Sequence, residues 1–303
     1  MNAAQVKEKT VLVTGCSSGI GLAAARLLKK SGWNVIPTVR SETDLAMLRA
    51  KGFEPVQLDV ASSESVNAAA DEVLRRFNGQ LGAIVNNAGF GLASAVEDMS
   101  RDMLRDLFEV HVCGMQELTN RFIPVFRRQG YGRIVNLSSV LGEISLPFAG
   151  GYSAAKFAVE ALSDALRREL AGSGIGVSII QPGPIDSQFS VNLAHRMDRY
   201  TRNENSVFAS FYKEALETRK AGKAHRTAGT FMKPPEAVAR EIRRCLERRN
   251  PPRRVRITAV ACFGAAARRF FPAALLDMMM VWRLKKKLTV NDTEKTDHLP
   301  SRK

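Results

Sequence analysis

Tyr152 and Lys156 stand four residues apart in Tyr152-Ser-Ala-Ala-Lys156, the spacing that makes two side chains neighbours on one face of a helix. An ammonium beside a phenol favours the phenolate and lowers a pKa that is about 10 in an unperturbed tyrosine. A phenol tuned in this way serves as a general acid or base near neutral pH. Alone the pair is a weak signal, since many helices carry it as a solvated surface pair. Here it is accompanied by Thr14-Gly-Cys-Ser-Ser-Gly-Ile-Gly21 near the N-terminus, by Asn86-Asn-Ala-Gly89, and by Ser139, thirteen residues before the tyrosine. A hydroxyl close to the phenol can steady a carbonyl or alkoxide oxygen while the phenol moves the proton.

These groups need a scaffold, and hydrophobic patterning supplies one. Short apolar runs predict strands over Val11–Thr14, Trp33–Val39, Phe53–Val60, Ala83–Asn86, Arg133–Ser138, Val177–Gln181 and Arg254–Thr258. Helical spacing predicts helices over Ile20–Lys30, Ser62–Phe77, Met103–Arg128 and Tyr152–Leu170, and another from Pro234-Pro235 to Arg249. Ser62 is a good N-cap. Strands that alternate with helices form a parallel sheet covered on both faces. The expected fold is α/β, a doubly wound Rossmann-type sheet in a single domain. Its catalytic part covers 1–258, with a loosely patterned segment at about 187–232, and 259–303 form a C-terminal extension. In the glycine loop, Gly15 turns the chain out of its strand, while Gly19 and Gly21 let backbone approach a pyrophosphate at a helix N-terminus.

Together, the glycine loop, Asn86-Asn-Ala-Gly89, Ser139 and Tyr152-x-x-x-Lys156 resemble the short-chain dehydrogenase/reductase family, from about Thr10 to about Ile257. The phrases running through Leu92 and Phe157 look most like its hydroxysteroid and retinol dehydrogenase branch, which includes bacterial aldehyde reductases. The resemblance implies that Ser139, Tyr152 and Lys156 are catalytic; the thirteen-residue spacing selects Ser139 over Ser138. It implies cofactor contacts at Gly15, Ser17, Ser18, Gly19 and Ile20 for phosphate and ribose, and at Asp59 and Val60 for adenine. Asn87, Ala88 and Gly89 would lie beside the adenine ribose, with Lys156 on the nicotinamide ribose next to Tyr152. Pro182, Ile185 and Ser187 would hold the carboxamide, Ser187 standing where threonine is commoner. The segment at 187–232 would cover the substrate. One departure is His111, where relatives carry an asparagine whose backbone carbonyl holds a water linking the lysine to solvent. A tolerated packing substitution accounts for it better than direct proton shuttling.

Relatives that prefer NAD place an acid at the end of the second strand. This chain has Val39 there, followed by Arg40. An arginine can clamp a 2′-phosphate, so the expected cofactor is NADP(H). Phe90, Leu92, Leu146, Phe148, Phe208 and Phe211 predict an apolar carbonyl or alcohol substrate of steroid, retinoid or long-chain aldehyde type. The rival expectation is a catalytically weak NADP(H)-binding sensor or scaffold that works through its basic tail.

Of the formal net charge of +15, +14 falls from Lys220 to Lys303, where 21 Lys/Arg face 7 Asp/Glu. The catalytic part is nearly neutral, so the tail and not the substrate is the group expected to meet an anionic partner. Arg268, Arg269 and Asp277 interrupt its apolar stretch, which falls short of the roughly 18 residues that suggest a membrane span. An apolar segment ending in Trp282 and Arg283-Leu-Lys-Lys-Lys287 fits an interfacial helix on anionic lipid. Equally, it fits a helix packed over the cleft or a partner subunit. No motif for reading nucleic acid accompanies the charge. Cys16, Cys113, Cys245 and Cys262 show neither disulfide nor metal spacing. The chain runs from Met1 into a strand without a signal peptide, so the expected location is cytoplasmic, peripheral at the inner face of a membrane if the tail binds lipid. The resemblance further implies a homodimer or homotetramer that pairs through the helices at Met103–Arg128 and Tyr152–Leu170.

Overall fold

The structure, a computed structural model, describes residues 3–187, 193, 200, 205–220 and 232–281. Seven strands form one sheet, with every pair parallel: β1 (Thr10–Val13), β2 (Asn34–Val39), β3 (Val56–Gln57), β4 (Ala83–Asn86), β5 (Gly132–Leu137), β6 (Ile175–Gln181) and β7 (Arg254–Arg256). Their order is β3-β2-β1-β4-β5-β6-β7. β1, β4, β5 and β6 are buried at every residue, because helices cover both faces, and this is why they read as apolar runs without alternation.

On one face α1 (Gly19–Lys30) and a helix at Pro235–Glu247, which we number α8, pack Ala24, Leu28, Val238 and Ile242 onto Val11, Val13 and Val85. On the other, α3 (Ser63–Arg76), α5 (Gly114–Gln129) and α6 (Gly150–Glu169) set Val66, Phe122, Phe126 and Leu166 against Leu12, Ile84 and Ile134. Ser62 caps α3 by accepting the amide of Ser65 at 3.2 Å. The chain thus forms the doubly wound sheet expected from its pattern. The strand order reverses between β1 and β4, and the ends of these two strands are where such folds place ligands.

Several elements differ from expectation. A helix over Glu42–Ala50 (α2) follows β2, capped by Ser41 on the amide of Asp44. The third strand keeps only Val56–Gln57 in the sheet, since it lies at the edge with β2 as its single neighbour. The long helix expected from Met103 begins at Arg101 as α4 (Arg101–Phe108), capped by Ser100. A π-helical turn at Glu109–Cys113 then separates it from α5.

Within the segment at 187–232, most of which lies outside the described residues, α7 (Ala209–Lys220) is helical. The described part of the extension is not one continuous helix. After β7, α9 (Ala259–Phe270) opens on Thr258, whose hydroxyl accepts the Ala261 amide at 3.2 Å. The chain leaves the helix at Phe271 and Pro272 and resumes a helix at 273–281, because proline cannot donate to a preceding turn. Trp282 and the basic run Arg283–Lys287 lie outside the described residues.

Candidate active site

β1, β4 and β5 deliver the site. β1 is followed by Thr14, whose hydroxyl accepts the backbone amides of Asn87 and Ala88, each at 2.9 Å. The Asn87 amide returns to Thr14 O at 2.8 Å and Gly15 O at 3.1 Å. These four bonds lock the glycine loop to Asn86-Asn-Ala-Gly89. Gly15 takes a positive φ of 71°, and a side chain on Gly21 would overlap Gly15 O and come within 2.6 Å of Asn87 Nδ2. Thr14 is a residue that motif reasoning passed over. A threonine where an apolar strand meets a glycine turn was the available signal.

The loop opens α1 with Ser18 in extended backbone, its hydroxyl not spent on a cap bond and no acid in the first turn. First-turn amides, Ser17 and Ser18 therefore make a donor set suited to a pyrophosphate. Ser187 sits beside Gly19, where a Cβ on the glycine would be 3.2 Å from that of the serine. Ile185 is fixed by a bridge to Lys233, and Pro182 O accepts the amide of Val140 at 2.9 Å. So Ser187 closes on the glycine loop at Gly19, while Pro182 and Ile185 anchor the segment that carries it. At the end of β2, the Arg40 side chain is 67% exposed and 4.0 Å from Asp59. Asp59 accepts the Ala61 amide at 3.1 Å. Val60 closes the other flank with Ala88, lining a small cavity together with Thr14, Asn86, His111 and Lys156.

β5 ends at Leu137, and Ser139 opens a single 3-10 turn, Val140–Gly142, by accepting the Leu141 amide at 3.1 Å. The Tyr152 phenol, from the first turn of α6, lies close enough to Ser139 for that hydroxyl to favour its ionised form. Lys156, one turn later, is buried and donates to Leu137 O at 2.7 Å. The ammonium lies 5.7 Å from the Tyr152 ring centre. Burial pushes the phenol up to about 12, against the lowering effect of Ser139. Burial also pulls Lys156 down to about 8, while Glu160 acts to raise it. Burial thus acts against the lowered tyrosine pKa expected from the spacing. Lys156 is directed to a carbonyl, and exclusion of water outweighs its charge.

His111 comes from the π-helical turn. Its Nε2 is 2.7 Å from Phe90 O, and its ring meets Tyr152 edge-on at 5.4 Å. A side chain on Gly89 would fall within 2.9 Å of His111 Nδ1. The imidazole thus braces the end of the Asn86–Gly89 stretch against the tyrosine. The cavity it shares with Lys156 measures about 10 Å³, roughly the space of one water.

Of the expected substrate-side residues, Phe90 and Leu92 are buried with Met103 and Leu107. Phe148 stacks on Phe211 at 4.1 Å and meets Phe208 edge-on at 5.2 Å. Tyr212 holds α7 down by donating to Asp98 at 2.5 Å and accepting the Ala95 amide at 2.8 Å. Leu146 is exposed. The arrangement provides a hydroxyl pair for a carbonyl or alkoxide oxygen, a buried cation beside it, an anion-binding helix start and an apolar flank.

Comparison with known proteins agrees with this layout. Residues 9–198 match the model of the short chain dehydrogenase family. The uncharacterized oxidoreductase YbbO of Escherichia coli is 38% identical over 91% of this chain and 95% of its own length. Retinol dehydrogenase 7 of Mus musculus is 36% identical over 68% of this chain and 67% of its own. Among solved structures, a short-chain dehydrogenase from Streptomyces avermitilis superposes with a TM-score of 0.72 at 30% identity, covering 93% of this chain and 98% of that one. An enzyme of the same kind from Burkholderia phymatum, in complex with NAD, gives 0.70 at 26% identity over 88% and 93%. An actinorhodin polyketide ketoreductase with NADPH gives 0.67 at 28% identity over 84% and 97%.

Proposed function

The chain belongs to the short-chain dehydrogenase family, and from that premise we propose that it is an NADP(H)-dependent oxidoreductase interconverting an alcohol and a carbonyl on an apolar substrate. What carries this reading is the approach of Tyr152 to the Ser139 hydroxyl, with buried Lys156 one turn along the same helix. When bound, the nicotinamide would supply or accept the hydride. Ser139 orients the substrate oxygen, and Tyr152 gives or takes its proton. At a pKa of about 12 the phenol holds its proton at neutral pH, which suits donation to a forming alkoxide. Lys156 offsets the negative charge that then develops on the tyrosine oxygen.

Arg40 supports NADP(H) over NAD. Its exposed guanidinium directly follows β2, where Val39 stands in place of an acid, and the carboxylate near it, Asp59 at 4.0 Å, leaves it 67% exposed. The cluster of Phe148, Phe208, Phe211 and Tyr212 supports an apolar substrate, as does similarity to a protein named retinol dehydrogenase. A panel of steroid, retinoid and long-chain carbonyls tests the reading. We expect substrate-dependent NADPH oxidation with at least one class. Tight NADPH binding without turnover on any member would favour a nucleotide-binding sensor instead.

We further infer that the extension rests on anionic lipid. α9 turns Ala261, Gly264 and Ala267 inward, and Gly264 faces Val140 and Ile144 beside the Ser139 turn. Outward it presents Phe263 and Phe270, 57% and 73% exposed, and the next helix adds Met278 at 62%. Arg269 lies between them, Arg268 being stacked over the Phe157 ring at 5.0 Å, and Arg283 and Lys285–Lys287 follow in sequence. Each such cation contributes roughly 1 kcal/mol near an anionic surface. Among the described residues no helix is long and apolar enough to cross a membrane, so the contact would be peripheral. Sedimentation with phosphatidylglycerol vesicles is expected, with release by salt. The combined substitutions Phe263→Ser, Phe270→Ser and Met278→Ser should abolish it while reduction of a small water-soluble aldehyde persists. Equal partitioning of both proteins would overturn the lipid contact.

A further inference from the structure

Behind the site, a set of charged and amide side chains joins segments that are distant in sequence. Glu160 lies on α6 four residues after Lys156, and both are buried. Its Oε2 accepts a fork from Arg254 of β7, Nε at 2.9 Å and Nη2 at 2.7 Å. Its Oε1 accepts Gln181 Nε2 at 2.9 Å. Gln181 is the last residue of β6, directly before Pro182, and the same amide reaches Glu143 at 2.8 Å. Glu143 follows the turn opened by Ser139 and takes a second contact from Arg256 at 2.7 Å. Asp164, one turn beyond Glu160, is 3.4 Å from Arg254. A Cβ on Gly142 would stand 2.6 Å from Ser138 Oγ and 3.0 Å from Glu160 Cγ. The Ser139 turn therefore sits directly on the Lys156–Glu160 turn of α6.

We propose that Glu160 is a positioning residue that clamps the Lys156 turn against the Ser139 turn and the Pro182 strand end, and supplies the counter-charge for the Lys156 ammonium. The proposal rests on the role of Lys156 given above. The groups that line the lysine's cavity from other elements are Thr14, Asn86 and His111, with Tyr152 on its own helix. Glu160 raises the lysine against burial. A bidentate carboxylate–guanidinium pair fixes direction as well as charge. Without the carboxylate, Arg254 would keep only Glu143 and Asp164 as acidic partners, and the ammonium would lose its proton at lower pH.

The test is Glu160→Gln, which keeps shape and loses charge. The alkaline limb of the kcat profile should move down by about one pH unit, with NADPH KM changed less than twofold. Adding Arg254→Gln should return the limb toward wild type, because the pair is then neutral. Arg254→Gln alone should move it up, and this variant carries the test if Glu160→Gln does not fold. Titration of the nitrogen-labelled Lys156 Nζ resonance reads the same shifts without turnover. Failure of the catalytic reading, seen as an inactive wild type or an active Tyr152→Phe, is thereby kept separate. A fixed alkaline limb and lysine titration in these variants, or a double variant no better than Glu160→Gln, would leave Glu160 a packing residue and overturn the proposal.

Discussion

Tyr152→Phe is expected to lower kcat by about 10² to 10⁴, the range for loss of a positioned acid or base, with NADPH affinity nearly unchanged. The phenyl ring keeps its edge contact with His111 and its packing on Phe90 and Leu107. Lys156 keeps its bond to Leu137 O, and Ser139 still accepts the Leu141 amide. What disappears is the phenol hydroxyl beside Ser139. Single-turnover kinetics at saturating NADPH, beside fluorescence titration of NADPH, separates chemistry from binding. Retention of more than half the wild-type turnover would remove Tyr152 from the chemistry.

The second large effect concerns cofactor choice. Arg40→Asp should weaken NADPH by about 10- to 100-fold, since a charge-assisted contact worth roughly 1.5–3 kcal/mol turns into a repulsion. NADH should suffer less or gain. The fold should tolerate the change, because Arg40 is 67% exposed and only 4.0 Å from Asp59, and exposed pairs of this kind contribute little. The measurement is the ratio of kcat/KM for the two cofactors. A ratio that does not move would make Arg40 an ordinary surface residue.

Much of this architecture was legible because it is local. The apolar runs at Val11–Val13 and Ala83–Val85, the glycine turn after the first and the helical spacing after the second each declare themselves within a dozen residues. Where tertiary context decides, the pattern was silent. α2 spans nine residues with two buried leucines, too short for periodicity to register. The π-helical turn depends on what Glu109–Cys113 packs against, which no spacing reports. The Tyr152–Lys156 pair was visible, but its electrostatics were not, since burial raises the phenol more than a four-residue spacing can forecast. Glu160 went unnoticed for a similar reason. Its partner Arg254 lies 94 residues further on, and an acid four residues past a lysine usually reads as a solvated pair.

That separation also bears on how the molecule is made. β7 pairs with β6 as the last strand of the sheet, joining Arg254 to Ile179. A contact between such distant residues carries a large loop-closure cost until its neighbours are in place. On the ribosome, Ser139, Tyr152, Lys156 and Gln181 all emerge before Arg254 does. A nascent chain can therefore build six strands and the glycine loop while Glu160 still lacks its arginine, and this fastening comes only as β7 arrives, with α9 still to follow.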